Sequence, residues 1–472
     1  MAKYGLSGTV EHAEAVVTAS LARAAGVCGR RLTRPFFRID NRMSKSLGFW
    51  STWSLVVGAM IGSGVFLLPA VLAPYGSFSL AGWAVAATGT LFVALSLGSL
   101  ARRIPRTGGP YVYTRAAFGD LPAFLVAWGY WIAVWSAVAA LAVAFSGYMS
   151  VFIPSFASVP AAGAGGAIAI LWLLTGVNTF GIRAVGFVQL ATTLIKLLPL
   201  LLIAGLGFVF GDVTAIRATN PDNEPLGLLV AGLAALTMWA YVGMETATVP
   251  AEDVLAPERT IPRALVLGTL TATAVYVLAT VGVMALVPAP ELGQSSSPFA
   301  DAAGVLFGPN GAILMGLAAL VSIAGALNAA VLVCGQIPRA AARDGLFPSR
   351  FGRLNSNDAP AVALFVSAGL SSVLILMNYS RGLVAAFTTL ILLSTLTTLA
   401  PYAVSAAADL TLQRREIRQG EPIRWQAIVV AAIALAFSVF AMIGAGIEVL
   451  AYGVVLLLAG LPLYMWLKKG AE

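Results

Sequence analysis

An all-α membrane protein is the fold class the sequence predicts, and three observations carry it. Apolar side chains make up 59% of the 472 residues and charged ones only 10%, where ordinary soluble domains carry about a quarter charged. The mean hydropathy is +0.90. The apolar residues gather into runs of about 20, the length a helix needs to cross the hydrocarbon core, and the basic residues fall in alternate gaps between them.

The runs lie near 49–72, 79–100, 121–153, 162–181, 184–210, 226–251, 263–287, 310–337, 361–378, 382–410, 426–446 and 448–467, which predicts twelve transmembrane helices. The loops test the count, because one misplaced span would reverse the sidedness of every later charge. Odd-numbered loops hold only Arg217 and Arg381. Even-numbered loops hold Arg102, Arg103, Arg106 and Arg115, then Arg183, then Arg259 and Arg263, then Arg339, Arg343, Arg350 and Arg353, and finally Arg414, Arg415, Arg418 and Arg424. This alternation predicts a multi-pass inner (cytoplasmic) membrane protein with both termini in the cytoplasm. Residues 1–43 are polar and Arg-rich, without an apolar core and small-residue cleavage site. They read as a disordered cytoplasmic tail rather than a signal peptide, a transit peptide or a start at Met43 being the alternatives. Residues 44–467 form the helical domain and 468–472 a cytoplasmic tail.

Several functions fall away on composition. Cys28 and Cys334 are the only cysteines and His12 the only histidine, so no zinc, haem or other metal centre is expected, nor a disulfide framework. No cofactor is expected. A net charge of +8 would suggest nucleic acid in a soluble protein, but here the basic residues set orientation in the bilayer.

The first and sixth spans break the pattern of a lipid-facing helix, since freed backbone groups find no partners in hydrocarbon. The first reads Gly58-Ala59-Met60-Ile61-Gly62-Ser63-Gly64-Val65-Phe66-Leu67-Leu68-Pro69, predicting a helix unwound at Gly62-Ser63-Gly64 and restarted toward Pro69. The restarted half offers backbone N–H groups and a positive dipole end to a carboxylate. The sixth reads Trp239-Ala240-Tyr241-Val242-Gly243-Met244-Glu245. Gly-interrupted segments at corresponding places in two halves point to a transporter's midplane site. Five spans separate them, giving inverted repeats over about 49–210 and 226–410, with helices eleven and twelve at 426–467 outside. A close helix-packing face of small residues is the other reading of Gly62-Ser63-Gly64.

Three stretches carry a family resemblance: Gly58 to Pro69; Gly243-Met244-Glu245 with Pro257-Glu258-Arg259-Thr260-Ile261-Pro262; and Ala341-Ala342-Arg343-Asp344-Gly345-Leu346-Phe347-Pro348. Over residues 44–467 the chain resembles the amino acid-polyamine-organocation superfamily, most closely its arginine/agmatine antiporter branch. The resemblance implies a five-plus-five inverted-repeat fold with helices 1 and 6 broken. It puts the substrate's carboxylate at Ile61, Gly62, Ser63 and Gly64, and its amino group at the carbonyls of Trp239, Ala240, Tyr241, Val242 and Gly243.

Two ionisable residues qualify clearly as lying at mid-bilayer, where insertion costs about 2.5–3.5 kcal/mol each and function is the default hypothesis. Glu245 follows the sixth-span break and is a candidate proton carrier or ammonium partner. Structural hydrogen bonding is its alternative, to Tyr130 or Tyr402, which match the two tyrosines beside this acid in the antiporter branch and are candidate gating residues. Lys196 is centred in the fifth span and resembles the lysine that replaces sodium in proton-coupled members of the superfamily. It is a candidate protonation switch or a fixed cation bridging helices. Trp239 matches a gating position, with plain packing as the alternative.

At the distal end of the pocket, the asparagine and tryptophan that hold a cationic tail in the arginine/agmatine antiporters align with Val138 and Ala330, while Ser394 matches. That favours a neutral amino acid, although Asn328 and Glu245 leave the basic amino acid or polyamine alternative open. The expected partners are an amino acid or amine substrate, protons and the bilayer, with a homodimer compatible and nucleic acid excluded. The cytoplasmic run from Arg102 to Pro110 reads as a structured turn, with its arginines setting topology or pairing with Glu252 or Asp253. An enzyme would need convergent catalytic groups and a channel a charged ring or filter. Neither pattern is present, which leaves secondary transport by alternating access, proton-coupled or exchanging.

Overall fold

In the computed structural model the described residues are 47–104, 106, 109–180, 186–248, 254–378 and 382–469, without the side chains of 63 and 186–196. Helices α1 (Phe49–Met60) and α2 (Ser63–Leu72) occupy the first expected span. Then come α3 (Phe78–Arg103), the short α4 (Pro110–Phe118), α5 (Asp120–Met149), α6 (Pro160–Asn178) and α7 (Gly186–Phe210). The second half holds α8 (Leu226–Met238), α9 (Pro257–Leu286), α10 (Pro298–Arg343), α11 (Ala361–Asn378), α12 (Leu383–Arg418), α13 (Trp425–Gly444), α14 (Ile447–Leu458) and α15 (Gly460–Lys469).

Ten helices among the described residues are long and apolar enough to cross a membrane, counting α1 with α2 and α14 with α15 as single paths. Apolar segments Leu197–Phe210 and Leu226–Tyr241 are shorter and fall at the fifth and sixth expected spans. Helices outrun the apolar runs where polar residues continue them. α12 ends at Arg418, eight residues past its apolar stretch, and α10 begins at Pro298 and bends at Gly308 (φ 67°) before entering its apolar part. Hydropathy measures what lipid must cover; the backbone ladder continues as long as propensity allows.

The core is organised by small residues. α5 is buried along nearly all its length against α10 and α12. α7 meets α9 backbone to backbone, so that a Cβ on Gly207 would lie 2.3 Å from the Gly282 carbonyl oxygen. Close approach of this kind is how membrane helices gain packing energy when lipid is as apolar as they are. α13 and α14 instead present Val439, Ile443, Ile447 and Val455 outward.

The expected turn from Arg102 to Pro110 is only partly described, since Pro105, Thr107 and Gly108 lie outside the described residues, as do Glu252 and Asp253. Beyond it α4 is helix rather than turn. Its last carbonyls, at Ala116 and Ala117, accept from the Arg415 guanidinium at 3.1 and 2.7 Å, and the Tyr111 hydroxyl donates to Asp344 at 2.9 Å. Burial and then the Asp344 charge push the Tyr111 phenol above its ordinary range.

Candidate functional site

The first break is one residue earlier and shorter than the glycine pattern suggests. α1 stops at Met60, Ile61 (φ −78°, ψ 83°) still donates to Val57 O at 2.9 Å, and Gly62 (φ −125°, ψ −135°) turns the chain so that α2 starts at Ser63. The amides of Ser63, Gly64 and Val65 therefore head a ten-residue helix with no preceding turn to bond to. Ile61, Gly62, Gly64 and Val65 are buried.

The second break is longer. α8 ends at Met238, a 3-10 turn covers Trp239–Tyr241, Val242 is extended (φ −61°, ψ 131°), Gly243 takes φ +101°, and a second 3-10 turn covers Met244–Thr248. A side chain at that φ is strained, so glycine is the residue that lets the chain reverse here. The Ala240 carbonyl, which residue 244 would bond in a continuous helix, accepts instead from the Tyr276 hydroxyl of α9 at 2.9 Å. Sequence reading missed Tyr276, because a tyrosine inside an apolar span carries no pattern of its own.

The breaks touch. A methyl group on Gly64 would lie 3.1 Å from Trp239 Cδ1 and 3.2 Å from Ala240 Cα, and one on Gly243 would lie 3.2 Å from Ala59 Cβ. Trp239 is 6% exposed and its Nε1 is buried without a partner, so the indole edge beside Gly64 has an unspent donor. Small residues at Gly62 and Gly64 thus do both things weighed for them: they open the backbone and admit a neighbour.

Glu245 is 1% exposed and accepts three hydrogen bonds. Tyr130 of α5 donates to Oε1, Tyr402 of α12 to Oε2, and the Gly243 N–H reaches Oε2 at 3.2 Å. Three segments of chain meet on one carboxylate, in keeping with both tyrosines anticipated from the resemblance. With this partner set Glu245 knots the second break to α5 and α12.

The distal residues are less convergent. Val138 of α5 is buried. Ser394 donates to the Ala133 carbonyl at 2.7 Å, tying α12 to α5. On α10, Ala326 stands 3.1 Å from the Cβ position of Gly62, and Ala330, one turn on, shares its face. Asn328 is turned toward α6, where it accepts from Asn178 Nδ2 at 2.8 Å, so it does not join Ala330. Lys196 lies on α7, and its side chain is outside the described residues.

A buried acid also escaped the sequence reading. Asp409 of α12 is fully buried, bonded by Arg103 Nη1 at 2.9 Å, Ser96 at 3.0 Å, Ser99 at 3.4 Å and Gln413 at 3.1 Å. Arg103, read as a topology charge or a partner of Glu252 or Asp253, staples α3 to α12 through Asp409 and reaches Glu416 at 3.4 Å. The signal available was an acid at the end of an apolar run together with two serines three apart on another. No cluster of His, Cys, Asp and Glu that could hold a metal occurs among the described residues.

Two helices interrupted side by side in the protein interior, one offering amides and the other a reoriented backbone, define a membrane transporter of the broken-helix type. The chain belongs to the amino acid permease family, whose model matches residues 47–457. It is similar to the putrescine transporter PotE of Haemophilus influenzae, 30% identical over 89% of this chain and 97% of that one. The arginine/ornithine antiporter of Pseudomonas aeruginosa is 32% identical over 90% and 92% of the two chains, and the cadaverine/lysine antiporter of Escherichia coli 30% identical over 85% and 90%. These relatives fit the basic amino acid and polyamine antiporter branch, and the protein is a transporter, not an enzyme. They do not support the neutral substrate inferred from Val138 and Ala330 and favour the alternative. Two apolar side chains are a poor guide to a cation, because backbone carbonyls can receive an ammonium without leaving a mark on the side-chain pattern.

Proposed function

We propose that the chain is an antiporter exchanging a basic amino acid or a diamine for another by alternating access. The observation that carries this is the contact between the two breaks: Gly64 and its neighbouring amides against Trp239 and Ala240. An amino acid carboxylate would sit on the amides of Ser63, Gly64 and Val65, where helix-end charge favours it. The α-ammonium would face the carbonyls of the second break, and the side chain would extend toward Val138, Ala330 and Ser394. A diamine lacks the carboxylate and would keep only the carbonyl contacts, which explains how one site can serve both members of an exchange pair.

Twelve spans in two inverted five-helix repeats, cytoplasmic termini and an inner-membrane location complete the reading. Its support is the alternation of arginines between loops and the placement of Leu197–Phe210 and Leu226–Tyr241 at the fifth and sixth spans. The Tyr130–Glu245–Tyr402 knot joins the second break to α5 and α12, so moving that break means breaking it. Glu245 and Lys196 are the groups through which protons bias the open face, and Trp239 closes over the substrate.

The test is counterflow in proteoliposomes. Labelled ornithine, arginine, lysine, putrescine and cadaverine are expected to exchange saturably, with neutral amino acids failing to compete. The pH dependence should disappear in Glu245→Gln or Lys196→Ala. Competition by leucine or alanine equal to that of ornithine would overturn the substrate class, and linear non-saturating flux would overturn the carrier.

A further inference from the structure

We infer that Tyr276 is a positioning residue for the substrate's ammonium group, acting through the backbone of the second break; this rests on the transport reading above. The Ala240 carbonyl loses its helical donor because Val242 is extended and Gly243 has positive φ. An unpaired carbonyl in that interior would be free to bond a passing ammonium. Instead the Tyr276 hydroxyl holds it at 2.9 Å.

The grip extends over two consecutive residues. Thr273 lies three positions before Tyr276 on α9 and so shares its face. Thr273 donates its one hydroxyl proton to Thr269 O at 2.8 Å, so in its 2.9 Å bond with Tyr241 it is the tyrosine that donates. One face of α9 therefore fixes the Ala240 backbone and the Tyr241 side chain together. Their rings are locked from the other side by Trp83 of α3, 5.3 Å from Tyr276 and 6.0 Å from Tyr241 between centroids. Tyr241 and Tyr276 meet edge to face at 5.7 Å, and all three rings are fully buried.

The consequence is a choice among carbonyls. Trp239 O accepts from the Val242 amide, Ala240 O from Tyr276, and Gly243 O from Thr246. Tyr241 O and Val242 O accept no hydrogen bond among the described residues. Tyr276 thus removes Ala240 from the set of possible ammonium acceptors and fixes the plane of the chain that presents Tyr241 and Val242.

Purified Tyr276→Phe protein, which keeps the ring and loses the hydroxyl, is compared with wild type in ornithine and putrescine counterflow, with Tm measured alongside. The expected result is a KM raised about five- to tenfold, the worth of one buried hydrogen bond, with kcat within twofold. Trp83→Phe, which loosens the same cluster but removes no bond to the break, should lower Tm with KM within twofold. If Tyr276→Phe does not reach the membrane, Thr273→Val carries the same expectation on KM. A lowered Tm with unmoved KM in Tyr276→Phe, or an equal rise in KM in Trp83→Phe, overturns the positioning role. Absence of saturable wild-type exchange of either probe overturns the transport reading itself, and is told apart by needing no variant.

Discussion

The two breaks solve the same problem with opposite means. At the first, nothing but main chain and small residues is involved: Gly62 turns the chain, Gly64 admits Trp239, and the exposed amides of α2 are left bare. At the second, side chains take hold: Tyr276 of the Ala240 carbonyl, Thr273 of the Tyr241 hydroxyl, and Glu245 of the Gly243 amide while it holds Tyr130 and Tyr402. The difference follows from the sign of the exposed groups. Bare amides at a helix start are stabilised by an incoming anion and need no permanent partner. Bare carbonyls would bind any stray donor, and those of Trp239, Ala240 and Gly243 are satisfied internally. The first break is thus left to main chain, and the second is the part wired to the rest of the molecule.

The largest effect should come from filling the contact between them. Gly64→Leu forces a side chain into Trp239 Cδ1 and the Ala240 main chain, which lie only 3.1 and 3.2 Å from its Cβ position. Counterflow is expected to fall more than about a hundredfold, the range of a site misaligned by an ångström, while detergent-purified protein stays monodisperse. Normal flux in that variant would mean that the breaks do not meet in the working protein.

The next effect tests the wiring. Tyr130→Phe and Tyr402→Phe each remove one donor from Glu245, and each should slow exchange about tenfold, the loss expected of one buried hydrogen bond. In the double variant the losses should fall short of additive, since both act on one carboxylate. Full additivity would show that the tyrosines serve separate purposes and that Glu245 is no common knot.

A smaller effect separates transport from stability. Asp409→Asn leaves Arg103 without its buried partner, but Arg103 is 17% exposed and can turn toward Glu416. The loss should be about 2 kcal/mol, below the 3–5 of a fully buried pair, read as a lower Tm with little change in KM. A changed KM with unchanged Tm would move Asp409 from the scaffold to the transport cycle.

The smallest lies far from both breaks. Asp212, fully exposed in the loop after α7, has its carboxyl held below the usual range, first by the Thr214 hydroxyl and then by the Thr214 amide. A depressed folded value means that the turn gains stability above the ordinary carboxylate value, lost as pH falls through the folded one. Amide exchange at Thr214 should therefore quicken only below about pH 4, with transport untouched. Faster transport after Asp212→Asn would show that this loop gates access.

Legibility followed chemistry. Both breaks could be found in advance because glycine among apolar residues is a local signal: Gly62-Ser63-Gly64 lies within two residues of the turn, and Gly243 is the positive-φ residue itself. Glu245 was conspicuous for its cost in a membrane, and Tyr130 and Tyr402 came from family likeness. Tyr276, Trp83 and Asp409 stayed hidden, the first two as ordinary apolar-span aromatics and the third as an acid near a span's end. The pairing of Asn328 with Asn178 was not legible, because position along a helix does not say which neighbour lies across from it.

By itself the sequence determined that the chain is a helical membrane protein, and where two of its helices are interrupted. Those follow from transfer free energy and backbone freedom, properties of each residue in its own short window. Only the tertiary structure decided which groups answer each interruption. A hydrogen bond between Ala240 and Tyr276, or Asp409 and Arg103, joins residues dozens or hundreds of positions apart, and such pairings depend on helix rotation and distance, which no local window contains.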